Sequence, residues 1–68
     1  MTVGTKMQQT IASAEGVLAN LKTFALDTND QSAKQMFNQL AQTQQNVVSV
    51  LQSRLNYIQQ EEPQYNKQ

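Results

Sequence analysis

The sequence contains neither cysteine nor histidine. That double absence excludes disulfides, thiolate nucleophiles, zinc sites of the usual kinds and imidazole general bases together. Positive charge is not in excess either. Five basic and five acidic residues cancel, so the chain lacks the electrostatic footprint of a nucleic-acid binder or a polybasic membrane anchor, and no nucleic-acid partner is expected. Long apolar runs are missing as well. Without a stretch of about eighteen apolar residues, direct membrane insertion is not expected. The N-terminus lacks the basic-then-apolar layout of a signal peptide, so the expected location is intracellular. At 68 residues the chain is shorter than a single hydrophobic core usually needs to stabilise a fold unaided. One small domain over residues 1–68 is therefore expected, and a multidomain enzyme is not.

What the chain has in quantity is side-chain amide: thirteen Gln and six Asn, against 15% charged residues. Low hydrophobicity with many amides also occurs in disordered chains, so periodicity has to decide. From Met7 the apolar residues fall at Met7, Ile11, Ala14, Leu18, Leu21 and Ala25, alternating steps of four and three, with Val3 one step earlier. That is a helical stripe. Val17 and Phe24 lie beside it and widen it from a coiled-coil seam toward a bundle-type face. The internal Gly16 costs about 1 kcal/mol relative to alanine, which the surrounding helix formers absorb.

The period lapses over Leu26-Asp27-Thr28-Asn29-Asp30-Gln31, where side chains that compete for backbone hydrogen bonds cluster. Thr28 followed by Gln31 fits a capping box, and Asp30 suits the positive end of a helix dipole. Thr5 with Gln8 repeats the pattern at the first helix, where Thr2 is an equally good cap. The spacing therefore predicts helix 1 over about 3–27, a turn at about 28–30, helix 2 over about 30–60 and a polar tail over 61–68. A connection that short makes the helices antiparallel neighbours.

In helix 2 a single heptad register takes in Ala33, Phe37, Leu40, Val47, Leu51 and Ile58, with Gln44 and Arg54 in the two gaps. Met36, Ala41, Val48, Val50, Leu55 and Tyr57 flank it on both sides. This apolar face is too wide for one partner helix. Two helices touching along one seam also bury too little apolar area to offset the ordering of about 55 residues. The expected fold class is thus all-α, an antiparallel two-helix hairpin that associates into a four-helix bundle or a larger helical assembly. Its self-association residues are expected to be Phe24, Met36, Phe37, Leu40, Gln44, Val48, Leu51 and Leu55, making the protein its own partner. Gln44 is expected to pair with its symmetry mate and fix register. The Arg54 stem is expected to be buried, with its head reaching Glu61, Glu62 or a partner carboxylate.

The outward positions of helix 2 read Gln35, Asn38, Gln39, Gln42, Gln45, Asn46, Ser49, Gln52, Ser53 and Asn56, none of them charged. A neutral amide face lacks the repulsion that Glu and Lys ordinarily supply between molecules. On helix 1 the outward residues Ala12, Ser13, Gly16, Ala19 and Asn20 form a small-residue strip. The carboxylates Glu15, Asp27, Asp30, Glu61 and Glu62 lie on an outer edge, in the turn and near the C-terminus. A di-iron bundle would need Glu-x-x-His on an inward face, and the corresponding register offers Gln44 and Val47. No catalytic, cofactor-binding or metal-binding residues are expected, no cofactor is implied, and the chain is not expected to be an enzyme.

The opening MTVGTKMQQTIAS, the central LKTFALDTNDQSAKQMF and the closing RLNYIQQEEPQY together resemble DUF1657, a family of small proteins from spore-forming Bacillota known only as a domain of unknown function. The resemblance covers nearly the whole chain and implies a sporulation context, near spore membrane and germination proteins, without implying an activity. It carries over no functional residues. The function expected is that of a non-enzymatic structural protein of sporulating cells or spores, acting through helix-helix self-association in the cytoplasm of the sporulating cell or spore. The alternative is a small adaptor for a spore membrane or germination protein, with Glu61, Glu62, Pro63 and Tyr65 as the partner-binding tail.

Overall fold

Residues 2–61 are described by a computed structural model. Two helices follow one another, α1 over Val3–Asp27 and α2 over Gln31–Glu61, and there is no strand among the described residues. α1 begins at Thr2, whose extended backbone sets its hydroxyl to accept from the Thr5 amide at 3.0 Å. The same hydroxyl donates to that of Thr5 at 2.9 Å. Of the two threonines able to cap, Thr2 does so, because starting there adds helical residues and brings Gly4 into the buried seam.

The turn is held from three directions. The Thr28 amide donates to the Phe24 carbonyl at 3.1 Å and closes α1. The Thr28 hydroxyl accepts from the Asp30 amide at 3.2 Å. Asp30 then caps α2: its carboxylate accepts from the Ser32 amide at 3.3 Å, and its carbonyl accepts from Lys34 at 2.9 Å. The expected capping box of Thr28 with Gln31 is therefore corrected to an Asp30 cap. A carboxylate at the positive end of the dipole is the stronger cap, which frees Thr28 to finish α1 and shape the turn. The Lys34 ammonium reaches back to the Ala25 carbonyl at 2.8 Å. That carbonyl belongs to the last turn of α1, where the helix itself offers no donor.

Contacts between Ala25 and Lys34, Phe24 and Phe37, and Ala14 and Gln44 make the pair antiparallel, with residue numbers at one level summing to about 60 by the equal rise of two helices. α1 buries Ile11, Ala14, Leu18 and Ala25, with Met7 and Leu21 half-buried, as the periodicity predicts. Val3, one step earlier, is exposed instead.

On α2 the structure turns the seam by one residue. The buried line is Ala41, Val48 and Leu55, meeting α1 together with half-buried Phe37, Gln44, Leu51 and Ile58. Leu40, Val47 and Arg54, placed in the seam by the sequence, are exposed. Both registers share Phe37, Gln44, Leu51 and Ile58 and differ only in the second line. One offers Leu, Val and Arg, the other Ala, Val and Leu, and the second spares the hairpin the cost of desolvating a guanidinium.

The resulting slab measures 49 × 17 × 10 Å, with a Cα radius of gyration of 15.4 Å, against about 11 Å for a compact domain of this length. Even Leu55, the most buried of the seam residues, keeps 4% exposure.

Candidate functional site

Each helix carries a second stripe, one residue before its seam line. On α2 it comprises Met36, Leu40, Thr43, Val47, Val50, Arg54 and Tyr57, preceding Phe37, Ala41, Gln44, Val48, Leu51, Leu55 and Ile58. On α1 it contains Val3, Val17 and Phe24, preceding Gly4, Leu18 and Ala25. In an antiparallel pair, a step of minus one on both helices turns side chains to the same side of the slab. The opposite side obeys the converse rule. Gln8, Ala12 and Glu15, each one residue after the α1 seam, share a groove with Gln52. Nearer the turn, Lys22 and Leu26 share another with Asn38.

The slab is therefore two-faced. One face carries Val3, Val17, Phe24, Met36, Leu40, Val47, Val50 and Tyr57, all large and all at least 42% exposed, with Val50 at 67%. Thr43, Asn46, Val47, Val50 and Leu51 form a shallow, almost wholly apolar depression on it. The other face carries, along α2, Asn38, Gln42, Gln45, Ser49, Gln52 and Asn56, where Gln45 donates to Ser49 at 3.5 Å and Gln52 to Asn56 at 3.4 Å. These i,i+4 contacts occupy amide groups that the sequence leaves free to bond between molecules. Leu26, 80% exposed, is the large apolar residue on the amide side.

The residues expected to mediate self-association are thus divided between two roles. Phe24, Met36 and Leu40 stand on the free apolar face. Val48 and Leu55 are consumed inside the hairpin, with Phe37 and Leu51 partly so. The Phe24 and Phe37 rings meet with centroids 5.4 Å apart at 50°, a tilted pairing that links the seam to the face. Gln44 donates across the hairpin to the Ala14 carbonyl at 2.9 Å, where a symmetry mate was expected. Arg54, expected to reach a carboxylate, lies over the Tyr57 ring with its guanidinium carbon 5.0 Å from the centroid. Val17, Val47, Val50 and Tyr57 were not among the expected association residues. The signal that finds them is the second heptad line, offset by one from the seam.

Glu61 closes α2; Glu62, Pro63 and Tyr65 lie outside the described residues. Among the described residues no group of three or more metal-ligating side chains comes together, and no helix is long and apolar enough to cross a membrane.

Fold and surface together define an antiparallel helical hairpin with one apolar and one amide face. The chain belongs to the family described as "Protein of unknown function (DUF1657)", which matches residues 7–55. That span begins and ends on seam residues, Met7 and Leu55. No curated protein and no solved structure matches the chain.

Proposed function

We propose that this chain is a non-enzymatic structural protein that works by associating with copies of itself through the apolar face of the hairpin. The observation that carries the reading is the alignment of eight large apolar side chains on one side of a slab only two helices wide. At about 90 Å² each they amount to roughly 700 Å² per copy, close to the ~800 Å² that one partner contributes to a standard stable interface. A zero formal charge and an α2 whose outward positions from Gln35 to Asn56 carry none leave little to hold copies apart. The proposed setting is the sporulating cell or spore of spore-forming Bacillota, supported by the resemblance of the N-terminal, turn and C-terminal segments to that family.

Sedimentation equilibrium across a wide concentration range tests the association. The expected mass is twice that of one chain or a larger multiple, and Leu40→Glu is expected to shift it toward one chain while helical circular dichroism remains. A single-chain mass at every concentration, with sharp unfolding independent of concentration, would overturn the proposal.

A further inference from the structure

The geometry points to a specific orientation for the second copy: face to face, with its turn at the opposite end, each helix crossing its own counterpart about a two-fold axis beside Val47. This inference rests on the self-association reading and adds the symmetry of the contact.

The first support is positional. The exposed apolar stripe of α2 runs from Met36 to Tyr57 and is centred beside Val47, while the matching line of α1 runs from Val3 to Phe24, with Lys6, Thr10, Ser13 and Asn20 between its apolar residues, and is centred beside Ser13. Because residues at one level sum to about 60 in this hairpin, the two centres lie side by side. One two-fold axis across the slab therefore maps each stripe onto itself and makes the contact isologous, whereas an axis along the helices would exchange the two stripes. Met36 then meets Tyr57 of the second copy, Val3 meets Phe24, Thr43 meets Val50, and Val47 meets itself. Leu40 falls against the aliphatic stem of Arg54, whose head is already held over Tyr57.

The second support is charge. Among the described residues Lys6 and Arg54 are the cations on this face, and both stand toward the open end of the hairpin at one level. The alternative two-fold axis runs along the helices and puts both turns at one end. It would set Lys6 of each copy level with Arg54 of the other, gathering four cations at one end of an apolar contact. Glu61 lies about 10 Å further along the same line at 1.5 Å per residue, too far to pair with them. In the opposed arrangement the two Arg54 residues stand about 20 Å apart along the axis, beyond the screening length of physiological salt. The remaining cations of the helices, Lys22 and Lys34, line a groove on the amide side and do not enter.

The absence of cysteine makes the test direct. Val47→Cys and Ser13→Cys are prepared separately, each checked for helical circular dichroism, and treated with a short bismaleimide. The opposed arrangement is expected to convert most of each variant alone into a species of twice the chain mass on denaturing gels. If neither crosslinks alone but a mixture of the two does, the turns lie at the same end, and this orientation is overturned while self-association stands. If both variants sediment as single chains and neither crosslinks, the self-association reading falls and this inference with it. Monomers that instead bind vesicles of anionic phospholipid would assign the apolar face to a lipid surface and overturn both. Should Val47→Cys fail to fold, Ser13→Cys alone still discriminates: crosslinking to twice the chain mass supports opposed turns, and sedimentation as a dimer without crosslinking overturns this orientation.

Discussion

Gln44 shows what a polar side chain on the seam does within one hairpin. Its position on the seam follows from the heptad, but its amide serves the neighbouring helix of the same chain, 2.9 Å from the Ala14 carbonyl. That carbonyl lies mid-helix and already accepts from the helix ladder, so removing the amide strands nothing. Gln44→Leu is expected to raise the denaturation midpoint, adding about 1 kcal/mol through aliphatic burial against a modest hydrogen-bond loss. A lowered midpoint would show that the amide is a net contributor to the hairpin. Gly16 presents the opposite case, since a Cβ built there meets nothing within 4 Å. Gly16→Ala should stabilise the hairpin by about 1 kcal/mol, a rise of roughly 4–8 °C in Tm. If association were lost instead, another backbone must pack against the strip of Ala12, Gly16 and Ala19.

The helices are set at their ends by single residues and along their length by the choice of seam. Asp30 holds the first turn of α2 through the Ser32 amide, and Asp30→Ala is expected to cost about 1 kcal/mol, with hydrogen exchange quickening over residues 31–34. The seam itself is tested by two leucines that the sequence treats in reverse. Leu55→Ala should cost about 2–5 kcal/mol as a buried truncation, whereas Leu40→Ala, 44% exposed, should cost the hairpin much less and weaken association. Equal or inverted costs in urea titrations would return the seam to the Leu40–Val47–Arg54 line.

For the whole molecule, shape decides more than composition does. A slab 10 Å thick has no interior beyond its seam, so its apolar face is exposed for as long as the hairpin stands alone. If copies cover that face, folding and association are linked. A tenfold rise in chain concentration is then expected to raise Tm by roughly 5 °C for a dimer, from about 1.4 kcal/mol of mass action. An unchanged Tm over two decades of concentration would count against linkage.

The two helices, their short connection and the α1 seam were legible from residue spacing, because a 3.6-residue period and a cluster of backbone-competing side chains act locally. The seam of α2 was not. Adjacent apolar lines on that helix satisfy the same period, and only the approach of α1 leaves the Arg54 line outside and gives Ala41, Val48 and Leu55 to the interior. The same choice fixes which residues remain outside. Met36, Leu40, Val47, Val50 and Tyr57 form a face with Val17 and Phe24 because an antiparallel partner turns both flanking stripes to one side. Composition determined that this protein would be neutral and rich in amides and residue spacing that it would be helical; the packing of one helix on the other decided where its apolar surface lies.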